Sequence, residues 1–278
     1  MTKSTLSKSV IFVFFLCFSF TVSADSFKML TWNIRDLGKT KDDNEIRTIA
    51  YVLNDYDLIA IQEVVAKDPG GAQAVAQIVD DLNRMGSKWD YQISDPTRSP
   101  SSYISERYAF IWRTSKIEAI GRAFLDSELQ SICDREPFIG QFKVKNSAKP
   151  FFVINFHSRP HNKNPEGEIK YFDQYPQRVG SETVFIAGDF NLDENHPVWS
   201  SLYENGFTSC LTNSPTTLKQ KCVNGNFLNH AIDNIYFNQS LITLLDAGRV
   251  NFVGECEQVE EARNISDHLP VFLHCEIK

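Results

Sequence analysis

The sequence predicts an α/β fold with β-sheets covered by helices, and three observations carry that expectation. Short runs of β-branched, aromatic and small apolar residues alternate with segments of helical hydrophobic spacing. Several β-type runs follow one another with no helix between them. Several of the apolar runs end, or from the other direction begin, on a carboxylate, amide or imidazole side chain, as though those groups share one rim.

The first residues stand apart from this pattern. Lys3 and Lys8 precede an apolar run from Val10 to Val22, and Val22-Ser23-Ala24 offers small residues for a signal peptidase. The run is short for a bilayer span and has no stop-transfer flank, so residues 1–24 read as a cleaved secretory signal. Residues 25–278 then form one domain, because no repeat, low-complexity tract or Pro/Gly/Ser-rich linker divides them. Bulky Phe14-Phe15-Leu16 before Cys17 argues against a lipid-modified cysteine. Localisation is therefore secreted or periplasmic. Loss of Lys3 and Lys8 takes the net charge from −7 to −9. An acidic protein that binds a polyanion needs a local basic groove or a bound cation.

Cys133, Cys210, Cys222, Cys256 and Cys275 remain after export, which makes disulfides expected. Cys210 and Cys222 bracket a Pro/Thr/Asn loop and are the expected pair, with Cys256–Cys275 the second choice and Cys133 left over. These spacings do not suit zinc, so any bound metal takes oxygen ligands.

In chain order, Phe27–Asn33 reads as a strand and Glu45–Leu53 as a helix with Ile46, Ile49, Ala50 and Leu53 on one face. Leu58–Ile61 is a short buried strand ending on Gln62-Glu63. Ala72–Met85 is a second amphipathic helix. Trp89–Ile93, Tyr108–Trp112, Ile139–Val144 and Phe151–Phe156 are strands, the last delivering His157-Ser158-Arg159. A polar helix is expected over Glu168–Val179, a short helix over Trp199–Tyr203, and strands over Ile232–Phe237 and Val271–Cys275.

The stretch Thr183–Asn195 organises the rest. Thr183–Ala187 reads as a strand buried on both faces. Gly188 lets the chain leave the sheet, and alternation sends Asp189 and Asn191 to one side and Phe190 to the core. A carboxylate and an amide leaving a buried strand together suit a hard cation and a phosphate oxygen. A strand-to-turn cap is the plainer alternative, since Asp and Asn are ordinary turn residues.

Thr31-Trp32-Asn33-Ile34-Arg35, Ile61-Gln62-Glu63-Val64, Gly188-Asp189-Phe190-Asn191 and Ile265-Ser266-Asp267-His268-Leu269-Pro270-Val271 together resemble the signature of the endonuclease/exonuclease/phosphatase superfamily. Ser105-Glu106-Arg107-Tyr108 and Asp134-Arg135-Glu136-Pro137 narrow the resemblance to its deoxyribonuclease I-type members. It spans nearly all of the mature chain. The resemblance implies a four-layer sandwich of two packed mixed β-sheets flanked by helices, with the active site at one rim.

A phosphodiester resists hydrolysis because its anionic oxygens repel a nucleophile and its alkoxide leaves poorly. Catalysis needs positive charge on those oxygens, a base and an acid. Glu63, after an apolar run, is the primary candidate metal ligand, and Mg²⁺ needs only one or two carboxylates because it keeps several waters. Ca²⁺ and Mn²⁺ are the other candidate ions. By resemblance Asn33 and Asp189 complete that shell and Asn191 touches the scissile phosphate. His157 and His268 flank the phosphate as acid and base; the resemblance implies that His157 pairs with Asp233 and His268 with Glu106. Asp267 is either an orienting group or a metal ligand. Arg35 and Arg135 are candidate phosphate contacts, each with a surface ion pair as its plainer reading. His161, His196, His230 and His274 lack such context.

Some positions depart from the deoxyribonuclease I-type pattern. Val65 stands where those enzymes carry a groove-reading arginine, and Ile104 where they carry a stacking tyrosine, with Tyr103 one residue off. Ser214 lies near the position of a calcium-binding carboxylate. The expectation is a secreted, monomeric, Mg²⁺-dependent endonuclease that cuts DNA with little sequence preference and has no stable membrane association. The alternative is another phosphoesterase of the superfamily, of sphingomyelinase or inositol-phosphate phosphatase type.

Overall fold

A computed structural model describes residues 26–100 and 104–278. The expected signal segment, Cys17 and Tyr103 lie outside the described residues. Among the described residues no helix is long and apolar enough to cross a membrane.

The elements run β1 (Ser26–Leu37), α1 (Asp43–Leu53), β2 (Leu58–Val65), α2 (Gly70–Arg84), β3 (Trp89–Ile93), β4 (Glu106–Arg113), β5 (Ile117–Ala119), β6 (Phe124–Leu125), β7 (Phe138–Val144) and β8 (Pro150–His157). They continue with α3 (Glu166–Ile169), α4 (Tyr175–Val179), β9 (Val184–Asp189), α5 (Ser200–Glu204), β10 (Phe207–Ser209), β11 (Leu218–Val223), β12 (Asn226–Leu228), β13 (Asp233–Asn238), β14 (Ile242–Arg249), α6 (Val259–Ile265) and β15 (Val271–Ile277). The first sheet has the order β14-β15-β1-β2-β4-β3 and the second β10-β13-β9-β8-β7-β5. Both mix parallel and antiparallel pairs: β1 runs parallel to β2, and β8 parallel to β9.

Four layers result, as expected. The two sheets close on an aromatic-rich core that includes Phe27, Phe110, Phe142, Phe151 and Phe185. Central strands such as β2, β4, β8 and β9 read as near-continuous apolar runs because they are covered on both faces. Outside the first sheet, α1 and α2 bury Ile46, Ile49, Leu53, Val75 and Ile78. An Asp42/Glu45 capping box starts α1 and satisfies its free amides. Outside the second sheet, α3–α5 and their connections bury Ile169, Phe172, Tyr175, Trp199 and Leu202.

Three expectations need correction. The helix over Glu168–Val179 is broken into α3, a 3₁₀ turn at Phe172–Gln174, and α4. Pro176 is the reason: it has no N–H to give and its ring clashes with the carbonyl four residues back, so a helix restarts there. The Cys210–Cys222 pairing is also replaced. Cys222 on β11 bonds to Cys256, with Cα atoms 5.4 Å apart. Cys210 instead turns its thiol to Asn234 Oδ1 at 3.4 Å, and buried Cys275 belongs to the intersheet core, so neither reaches the β11–β12 hairpin. The second-choice pair, Cys256–Cys275, falls with it.

The third correction concerns coverage. The edge strand β14 and the helix α6 escape the sequence reading. Leu244 and Leu245 of β14 are both exposed, because the register slips between Leu244 and Asp246 and erases the period-two signature.

Candidate active site

The second sheet lays its contribution out in one row. His157 ends β8 opposite Asp189, which ends β9, and Asp189 lies opposite Asp233, which starts β13. Gly188 makes this possible. Its φ is +150° and a Cβ there would sit 1.8 Å from the Phe156 carbonyl oxygen. Beyond it Asn191 takes φ +52°, and its amide N–H donates to Asp189 Oδ1 at 3.0 Å.

The first sheet brings Asn33 and Glu63 to the same rim. Register between β2 and its neighbours slips after Asn33 and after Ile61, and Glu63 adopts a left-handed φ of +60°. Such a bulge re-aims a side chain. Glu63 Oε1 thereby accepts from Asn33 Nδ2 at 3.0 Å, while Oε2 accepts from the Asp36 N–H at 3.1 Å. Asn33 Nδ2 also donates to Asp189 Oδ2 at 3.0 Å, which links the two sheets.

Each histidine finds the carboxylate that faces it across the sandwich, and this reverses the expected pairing. His157 Nδ1 lies 3.0 and 3.1 Å from the Glu106 oxygens, and His268 Nδ1 lies 2.9 and 3.1 Å from those of Asp233. The reason is layer order. The rim of β8 sits over β4, where Tyr108 Oη accepts the His157 N–H at 3.2 Å. His268 leads into β15, and β13 packs opposite β15. Both Nε2 atoms approach one oxygen, Asp189 Oδ2, at 3.5 Å (His157) and 3.7 Å (His268).

Neighbouring carboxylates raise the proton affinity of both rings. Burial and the Arg135 guanidinium oppose protonation of His157, but Glu106, by charge and hydrogen bond, and Asp189 outweigh them and raise its pKa. Burial likewise opposes protonation of His268, yet Asp233 and Asp189 lift it to about 10. Asp233 is itself raised, by burial first and then by Asp189, against the pull of His268 and Thr216. The pair as a whole therefore holds one proton up to high pH.

Residues missed by sequence reasoning hold this arrangement. Thr216 Oγ1 donates to Asp233 Oδ2 at 2.6 Å. Ser266 Oγ donates to the Asn33 carbonyl at 2.6 Å and accepts the His268 N–H at 3.0 Å, and Trp32 Nε1 donates to the His268 carbonyl at 2.8 Å. Beneath the rim, Gln62 Nε2 donates to Asn155 Oδ1 at 2.6 Å, and Asn155 Nδ2 to the Ile61 and Ala109 carbonyls, an amide bridge between the sheets. Trp32, Gln62 and Ser266 lie inside the signature segments without a role of their own there, whereas Thr216 and Asn155 carry no sequence signal for such work.

The remaining candidates lie at the margin. Arg135 is 7% exposed and donates to the His157 carbonyl at 3.1 Å and to the Ser158 carbonyl, with Glu106 Oε2 3.8 Å away. It braces the strand end that carries His157 and edges the cavity beside it. Arg35 is half-exposed and faces Asp36 at 3.8 Å. Asp267 turns its carboxylate to Arg263 at 3.3 Å, and no hydrogen bond or ion pair among the described residues joins it to Glu63 or Asn33.

The donor set suits a hard cation. Asn33 Oδ1 is buried without a hydrogen-bond partner, beside the Glu63 carboxylate and within reach of Asp189 through the same amide. All are oxygen ligands. Asp189, Asp233 and His268 also place ligand atoms within 4.8 Å of one another.

A sandwich of two mixed sheets with paired carboxylates and imidazoles at its rim defines a hydrolytic phosphoesterase, and the chain belongs to the endonuclease/exonuclease/phosphatase family, whose sequence profile matches residues 30–268. Among its relatives are deoxyribonuclease-1-like 1 of Sus scrofa, 30% identical over 89% of this chain and 80% of that protein, and a deoxyribonuclease of Thioalkalivibrio, 27% identical over 88% and 70%. The fold matches that of a family member from Bacteroides thetaiotaomicron with a TM-score of 0.63, at 17% identity over 91% of this chain and 98% of that one. A mannosyl-6-phosphatase from the same species superposes with a TM-score of 0.60 at 18% identity, over 90% and 99% of the two chains.

Proposed function

We propose that this enzyme is a secreted or periplasmic, Mg²⁺-dependent endonuclease that hydrolyses DNA phosphodiester bonds with little sequence specificity. In this reading residues 25–278 act as a single, monomeric catalytic domain after removal of residues 1–24. The observation that carries it is the pair of carboxylate–imidazole dyads whose Nε2 atoms meet at Asp189, beside an oxygen-rich corner. Deoxyribonuclease names among the relatives support DNA as the substrate.

Glu63 and Asn33, with Asp189, would hold the cation; Asp267 is at most an outer contributor. A bound Mg²⁺ supplies positive charge to the phosphate oxygens. The chain's own groups do the rest. Asn191, with its amide at the rim, holds a phosphate oxygen. One imidazole takes a proton from the attacking water as the new P–O bond forms. The other gives a proton to the sugar oxygen as its bond to phosphorus breaks, so protons balance across the step. Glu106 and Asp233 fix the two ring tautomers. Arg135 acts mainly by positioning His157, and Arg35 contacts phosphate from the margin.

The test is to offer purified protein plasmid DNA, RNA, sphingomyelin, inositol phosphates and a sugar 6-phosphate in parallel, each with Mg²⁺ and with EDTA. Nicking of plasmid that EDTA stops and Mg²⁺ restores is the expected result. Hydrolysis of a phosphomonoester with plasmid left intact would refute the assignment.

A further inference from the structure

Glu168 is fully buried, although its place in a polar stretch reads as a solvated helix face. It stands in the one-turn helix α3, and the next residue, Ile169, anchors that turn in the core outside the second sheet. Its two oxygens take separate partners. Oε1 accepts the Asp134 N–H at 2.6 Å and Oε2 the Arg159 N–H at 2.8 Å, while Arg159 Nε lies 3.2 Å from Oε1. Arg159 Nε also donates to Asp134 Oδ1 at 2.8 Å, and its Nη2 to the Ile132 carbonyl at 2.7 Å. Burial raises the pKa of Glu168, and the two amides and Arg159 oppose that rise.

These contacts fall on the two chain segments that Arg135 also joins. Arg135 follows Asp134 and donates to the His157 and Ser158 carbonyls, and Arg159 follows Ser158. One carboxylate thus fixes the backbone just before Arg135 and just after its two targets. No hydrogen bond or ion pair among the described residues joins Glu168 to Glu106 or to the His157 ring, so it can act on them only through this brace. Resting on the nuclease reading above, we infer that Glu168 is a positioning residue for hydrolysis, which holds the end of β8 so that His157 meets Glu106 and the phosphate in register. A carboxylate suits the task because it accepts from both amides at once. Glutamine in its place offers one acceptor oxygen and turns an N–H₂ toward the other amide, which is left unpaired in a buried place. The end of β8 then shifts, and a misplacement of about 1 Å costs on the order of 10²-fold in rate.

The test measures Mg²⁺-dependent plasmid nicking by wild type, Glu168→Gln, Glu106→Gln, Asp233→Asn and the two doubles that add Glu168→Gln to each dyad variant. Glu168→Gln alone should lower kcat by about 10- to 100-fold and leave KM within about three-fold. Because the loss acts through the His157–Glu106 dyad, it should shrink below about three-fold in the Glu106→Gln background and persist in full beside Asp233→Asn. An unchanged kcat, or the same loss in both backgrounds, would overturn the inference, the second result marking a residue that only holds the fold together. Should Glu168→Gln fail to fold, Arg159→Gln removes the guanidinium links to Glu168 and Asp134 and keeps both amides. It should show the same split between backgrounds with a smaller loss of kcat, and no such split would overturn the inference. Wild type that cuts no DNA would refute the nuclease reading instead, and the same proteins would then be compared on the phosphoester that wild type does hydrolyse.

Discussion

The pairing of His268 with Asp233 makes a prediction that can be worked through in numbers. Asp233→Asn keeps the shape of the side chain and an oxygen for Thr216 Oγ1, but removes the charge 2.9 Å from His268 Nδ1. With charge centres about 4 Å apart and an effective dielectric of about 20, the lost attraction is about 4 kcal/mol, or about 3 pKa units. The His268 pKa should therefore drop from about 10 toward the ordinary histidine range. His157 keeps Glu106 and should move by less than about one unit. NMR titration of the six histidines in EDTA, with assignments from His→Gln variants, reads both at once. The stability consequence has a definite sign. The folded pKa of His268 lies above its unfolded value, so its contribution is fully present below about pH 6.5 and is lost as pH rises through about 10. Urea midpoints measured across that window should fall for wild type and stay flatter for Asp233→Asn. A shift in His157 with His268 unmoved would show that the pairing, and the layer argument behind it, is wrong.

Other expectations are independent of that one. Glu106→Gln should lower plasmid nicking by about 10²–10⁴-fold with the fold intact, because His157 loses the group that fixes its tautomer; a loss below about ten-fold would deny that role. Glu63→Ala should abolish Mg²⁺-stimulated nicking and weaken Mg²⁺ binding in calorimetry, and undiminished binding would move the ion elsewhere. Gly188→Ala should destabilise by about 2 kcal/mol or more, since its Cβ would meet the Phe156 carbonyl; an unchanged thermal midpoint would contradict that contact. Replacing Cys222 and Cys256 together by Ser opens a loop of 34 residues and should lower stability by about 3–4 kcal/mol in a denaturant titration.

What the sequence made legible follows from the range of the interactions involved. Strands such as Leu58–Ile61 and Thr183–Ala187 announce themselves because burial on both faces leaves an apolar run in one stretch of chain. Their polar ends were legible for the same reason. The partner of each histidine was not, because it depends on which strand of one sheet faces which strand of the other, and no local pattern records that. The aim of Glu63 was hidden too, since a single residue at φ +60° redirects it. The disulfide failed for a related reason: proximity along the chain favoured Cys210, whereas β11 pairs with β12 and turns Cys222 toward Cys256.

The Gln62–Asn155 bridge lies where the two sheets meet, directly under a centre assembled from both. Asn33, Glu63 and Glu106 come from one sheet, and His157, Asp189 and Asp233 from the other. Neither half holds a complete dyad, so a chain with its sheets formed but undocked is chemically inert. Hydrolytic power therefore depends on the two halves staying docked, and a molecule whose sheets part loses both dyads at once.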